Sequence, residues 1–250
     1  MSNIKIAIVN QSTCLTDVQI QPVVAALQIQ VTRDFAPLWG IDADLTFIPK
    51  GQTPPSDHWW LVVLDNSDQA GALGYHELTP AGLPIGKVFA ESDLNYHLSW
   101  SVTMSHELLE MLGDPNINLT VFCQTSATQG YLFAFENCDA VEDDQFAYDI
   151  NGIKVSDFVL PAYFQRAVPP KNGHYDFTGH LTQPIPAMLH GGYLSQFAVG
   201  EPGHVNGWTQ IMAQVAPNAV SRASRANPHS RKARRIKDRN DWKVSTASSF

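Results

Sequence analysis

Cysteine is scarce in this 250-residue chain: Cys14, Cys123 and Cys138 are the only three. So small and odd a number builds no disulfide framework, and the lack of a Cys-x-x-Cys pair argues against a zinc-thiolate site. Long apolar runs are missing as well. No stretch reaches the roughly 18 apolar residues of a transmembrane helix, so no membrane partner is expected. The opening MSNIKIAIVNQST has one Lys and a short apolar run. It lacks the longer apolar region and small-residue cleavage site of a signal peptide. A cytoplasmic location is the default expectation, with a virion-associated or non-classically exported fate left open.

What is present is apolar content of 44%, enough for a packed core. The length suits one large domain or one domain with an annex. We expect a single domain over 1–215, divided near 115/116 into two subdomains, and a flexible basic tail over 216–250. The charge is uneven. Nine of the 16 Lys and Arg lie at or beyond Arg222, against two of the 24 acids, Asp238 and Asp241. That leaves the tail at +7 and the rest at −15. An acidic body repels nucleic acid, whereas residues 222–243 suit a phosphate, a nucleic acid, an acidic partner or the body itself.

Along the chain, Ile4–Val9 is a β-branched apolar run and reads as a buried strand. Thr16 or Asp17 caps a helix that the spacing of Val18, Val23, Val24, Leu27, Val31, Phe35 and Leu38 carries to about Trp39, where Gly40 ends it. Asp44–Ile48 and Trp59–Leu64 are further strands, the second nearly all apolar and so central in its sheet. Asp65–Gly86 reads as a long loop and Lys87–Ala90 as a fourth strand. After Pro115 the sequence is loop-like to Thr128. Gly130–Phe135 is a strand, and Asn151-Gly152 turns a hairpin, since both turn positions need positive φ. From Pro169 to Gly207 we expect coil and short strands.

The chemistry concentrates in SHELLEMLGDP, residues 105–115. On a helix His106 and Glu110 share one face a turn apart, a spacing that grips one metal ion. Glu107, one step round, is placed for a metal-bound water. Gly113 and Asp114-Pro115 stop the helix. A third ligand must come from elsewhere. Asp114 is about 12 Å from His106 along a straight helix, so it returns only if the chain unwinds at Gly113. Glu136 is the preferred third ligand, because it ends an apolar strand that fixes it. Asp139 follows as a partner to orient the His106 imidazole, and Glu142 is the fallback. A solvated charged helix face explains the same residues without any metal.

His-Glu-x-x-His on a helix is the zinc metalloprotease signature, with the Glu as general base. His106-Glu-x-x-Glu110 resembles it with a carboxylate as second ligand. SHELLEMLGDP with ENCDAVE and NGIKVSDFVLPAYF resembles a group of bacterial and phage proteins regarded as zincin-like, over about the middle third of the chain. The resemblance implies an α+β, zincin-like fold. It has a mixed twisted sheet, a long N-terminal helix and an active-site helix, followed by an irregular, β- and coil-rich C-terminal part. It implies a peptidase that uses metal-activated water with Glu107 as base. Lys87, Val88, Phe89 and Ala90 become the edge strand that pairs with an extended peptide. The resemblance implies one divalent metal, zinc; two carboxylate ligands neutralise the ion, so weaker Lewis acidity than in a standard zincin is expected, or a harder metal such as Mn, Fe or Ca in place of zinc. The competing readings are a degenerate zincin that binds or scaffolds, for example in a phage or secretion assembly, and a nucleic-acid-associated protein acting through its tail.

Overall fold

The computed structural model describes residues 4–68, 72–165, 167, 169–170, 172–200 and 208–213. The basic tail, with the partner expectations attached to it, lies outside the described residues. The fold is α+β.

Strands β1 (Ile4–Asn10), β2 (Ala43–Ile48), β3 (Trp59–Leu64), β4 (Gly74–Leu78) and β5 (Pro84–Phe89) form one sheet in the order β2-β1-β3-β5-β4. All neighbours pair in parallel except β4, which runs antiparallel to β5. β3 is central, as its apolar run requires. Alternation divides β1 between two faces: Ile6 and Ile8 enter the main core, while Ala7 and Val9 join a smaller cluster with Ile48 and Val62. With both faces covered, the strand has no polar face to show.

Thr16 caps α1 (Asp17–Ile29) through a complete capping box with Gln19. The helical path continues as a π-helical segment, Gln30–Phe35, and as α2 (Ala36–Trp39), and Gly40 at φ 70° ends it. Ile20, Val23, Val24 and Leu27 of α1 pack in the same core as Met104, Leu108, Leu109, Met111 and Leu112 of α4 (Trp100–Gly113). A short α3 (Ala90–Asn95) precedes α4.

Three sequence expectations need correction. The Asp65–Gly86 loop contains β4, the whole of which pairs with β5. Consequently Lys87–Ala90 is not an edge: Lys87, Val88 and Phe89 lie in β5, between β3 and β4, and Ala90 begins α3. The edge on that side is β4. The stretch after Pro115 contains β6 (Thr120–Gln124), whose short polar-rich run is held by pairing with β7 (Gly130–Ala134).

β6 and β7 belong to a second, antiparallel sheet ordered β11-β10-β7-β6, with β10 (Tyr193–Val199) and β11 (Trp208–Met212). The hairpin β8 (Tyr148–Ile150) and β9 (Ile153–Val155) turns at Asn151 and Gly152, both at positive φ. It returns to the first layer, where the Ser101 hydroxyl donates to the Lys154 carbonyl and Ser156 N–H donates to Ser105 Oγ. The chain after Leu160 makes a single helical turn, α5 (Pro161–Phe164). Among the described residues, no helix is long and apolar enough to cross a membrane.

Candidate metal centre

Every residue of α4 from Ser101 to Gly113 is buried. The helix has no solvated side, so its polar residues face the interior. His106 and Glu110 are 1% exposed and Glu107 0%. This excludes the solvated charged face as an account of them. A carboxylate or imidazole placed there must be offset by hydrogen bonds, by opposite charge or by a cation, because taking a bare charge out of water costs several kcal/mol or more.

Three other segments complete the cluster. β7 runs into the loop that carries Glu136, Asn137 and Cys138, and Asp139 opens a 3-10 turn. Glu136 is 1% exposed and Asp139 0%. From the opposite side β4 brings His76, 3% exposed. His106 Nε2 lies 3.1 Å from Glu110 Oε1 and 3.3 Å from Asp139 Oδ1. His76 Nδ1 lies 3.6 Å from both Glu107 Oε2 and Glu110 Oε2. Ligands bound to one ion at about 2.1 Å in a tetrahedron stand about 3.4 Å apart. These separations therefore match what a shared cation requires.

Two triads have ligand atoms within 4.8 Å of one another: His106, Glu110 and Asp139, and His76, Glu110 and Glu136. The residues expected from the sequence are thus divided. His106 and Glu110 come together, but Asp139 stands with them where Glu136 was expected, and Glu136 joins His76. The donor set is imidazole nitrogen and carboxylate oxygen, which suits Zn, Mn or Fe. Asp114 and Glu142, also buried, fall outside both triads. Asp114 accepts hydrogen bonds from the backbone of Asn118 and Leu119, each at 3.0 Å, and so holds the turn after α4.

Cys138 is fully buried beside these acids. Burial first, then the charges of Glu110 and Asp139, push its thiol well up. It also donates weakly to Asn137 Oδ1. It belongs to neither triad.

A third His/Asp group, Asp157, Asp176 and His180, shares no member with the two triads. Its two acids are occupied by the chain. Asp157 accepts from Phe158 N–H, Thr178 N–H and the Thr178 hydroxyl, and Asp176 accepts from the N–H groups of His180 and Leu181. This knot ties the 176–181 loop to the strand-like segment before α5.

His76 is the residue that sequence reasoning missed. Its signal was present but weak: a lone His in Leu73-Gly-Tyr-His-Glu-Leu78, a short Tyr-bearing run ahead of Pro84. Compared with known proteins, the chain matches no family model, no curated protein and no solved structure.

Proposed function

We propose that this protein is a metal-dependent hydrolase of the zincin type, a peptidase, with a divalent cation held by His106, Glu110 and Asp139. The observation that carries this reading is that Glu110 Oε1 and Asp139 Oδ1 both lie within 3.3 Å of His106 Nε2, with Glu107 on the same helix as His106 and Glu110. A bound divalent cation would act as a Lewis acid, acidifying water and polarising a carbonyl oxygen. Glu107 is the proton acceptor, because its carboxylate is carried one residue along the same rigid helix. Two anionic ligands and one neutral imidazole lower the cation's net charge, so its acidity is weaker than in a three-histidine site. The edge strand β4 lies against this helix: a Cβ built on Gly74 would come 2.8 Å from Glu107 Cγ. Strand addition to β4, in place of the internal β5, is the mode in which an extended peptide would be presented.

A second reading rests on closure of the site. His76, His106, Glu107, Glu110, Glu136 and Asp139 are each 3% exposed or less. Closed metal centres are commonly structural, whereas catalytic ones keep an open position. On this reading the centre holds the sheet, α4 and the 136–141 loop together, and the protein binds or scaffolds.

Metal content and cleavage of an unstructured protein substrate, measured on the parent and Glu107→Gln, separate the two. Cleavage by the parent that vanishes in a variant with its metal retained supports the hydrolase. A metal-loaded parent without cleavage leaves the structural centre. A parent that takes up no metal removes both readings.

A further inference from the structure

We propose that the centre takes two divalent cations bridged by Glu110: one on His106, Asp139 and Glu110 Oε1, the other on His76, Glu136 and Glu110 Oε2. This rests on the metal centre proposed above and extends it.

The two oxygens of one carboxylate lie near different imidazoles. Glu110 Oε1 is 3.1 Å from His106 Nε2, and Glu110 Oε2 is 3.6 Å from His76 Nδ1. Each imidazole comes with its own second acid, Asp139 for His106 and Glu136 for His76, and Glu110 is the only member common to both triads. A carboxylate that gives one oxygen to each of two complete ligand sets has the arrangement of a bridge. Two-metal sites of hydrolases hold their ions about 3.5–4 Å apart, a separation that one carboxylate spans.

Burial points the same way. Glu107, Glu110, Glu136 and Asp139 are each 1% exposed or less, and a coordinated cation is one of the means by which buried carboxylates are offset. The second cation also gives β4 a role beyond an edge. His76 lies in the strand that ends the sheet, so the cation would fasten that strand to α4 and to the 136–141 loop. Glu107 Oε2, 3.6 Å from His76 Nδ1, borders this second position.

The test uses the full chain, stripped with chelator, reloaded with Mn²⁺ and freed of excess. Elemental analysis counts manganese per chain, and electron paramagnetic resonance reports whether the ions are coupled. We expect two Mn per chain with a spin-coupled spectrum in the parent. His76→Ala and His106→Ala should each hold one, with the six-line spectrum of an isolated ion. A parent with one uncoupled Mn overturns the second cation and leaves the single-cation centre standing. A parent that holds none overturns both. Two Mn retained in His76→Ala overturns the ligand assignment. The parent spectrum requires no variant, so a substitution that fails to fold does not remove the test.

Discussion

Asn137 Nδ2 donates a 2.9 Å hydrogen bond to the carbonyl of Leu109, joining the loop that carries Glu136 and Asp139 to the helix that carries His106 and Glu110. The contact is tight. A Cβ on Gly113 would stand 2.6 Å from Asn137 Nδ2. In an open helix Gly→Ala gains roughly 1 kcal/mol of propensity. Here the gain is outweighed, because Asn137 cannot withdraw without giving up a buried hydrogen bond, and overpacking alone costs about 1–3 kcal/mol. Gly113→Ala is expected to lower the melting temperature and to weaken metal affinity, read by competition with a chromophoric chelator. An unchanged or raised melting temperature would show that Asn137 is not fixed by this bond.

Gly74 makes a comparable argument on the other side of the helix. Its added Cβ would lie 2.8 Å from Glu107 Cγ, Glu107 Oε1 and Thr103 Cγ2. Gly in a strand is ordinarily a weakness, so Ala should stabilise an unconstrained position. We predict the reverse for Gly74→Ala, a loss of about 1–3 kcal/mol, or roughly 2–4 °C per kcal/mol in a chain of this size. Any peptidase activity should fall further than the stability change explains, because the residue displaced is Glu107. Parental melting and parental turnover together would place Glu107 elsewhere.

Gln30 ties the π-helical segment to both α4 and the hairpin. Ser105 Oγ donates to Gln30 Oε1 at 2.7 Å, and Gln30 Nε2 donates to the Ser156 carbonyl at 2.9 Å. Gln30, Ser105 and Ser156 are all buried. Gln30→Leu keeps the approximate volume but strands a hydroxyl and a carbonyl. At about 1–3 kcal/mol for each of the two unsatisfied groups, the loss should be roughly 2–6 kcal/mol. Urea denaturation would measure it. A loss under about 0.5 kcal/mol would mean that water or a shifted backbone replaces the amide.

These contacts show which parts of the molecule the sequence discloses. β1, β3, the α1–α2 path and the Asn151-Gly152 hairpin are local matters of period, caps and turn residues, and each is readable from a short window. The pairing of His106 with Glu110 is local too, fixed by one helical turn. The burial of α4 is not. A polar helix face looks the same whether water or other segments cover it, and only the tertiary arrangement brings the Glu136–Val141 loop and β4 onto it. β4 itself is hidden by its Gly- and Pro-dense surroundings, which read as loop until β5 supplies a ladder. Without β4, Lys87–Phe89 appears to be an edge and His76 has no apparent link to the centre. That Asp139, and not Glu136, completes the group of His106 and Glu110 turns on how the chain bends between β7 and the 3-10 turn, which residue spacing does not express.

Asp157 gives the stability a dependence on pH that can be signed. Burial first, then the neighbouring charge of Asp176, push its carboxyl well above the usual carboxylate range. In the unfolded chain the same group ionises near pH 4. The folded state therefore keeps a proton that the unfolded state releases. The associated stability is present in full below about pH 4 and is lost as pH rises toward the folded pKa. Asp157→Asn removes the titrating group and keeps an oxygen that can accept from Phe158 N–H and Thr178 N–H, both of which now bond Asp157 Oδ1. The variant gives up the bond from the Thr178 hydroxyl to Oδ2, a cost that does not vary with pH, and Thr178 Oγ1 retains Asp176 Oδ2 at 3.2 Å. Relative to the parent, the variant should therefore gain stability between pH 5 and pH 8. Denaturant titrations of both proteins at the two pH values provide the measurement. A parent-minus-variant difference that stays constant across that range would mean that Asp157 is ionised in the folded protein, and that a cation or a donor offsets its charge.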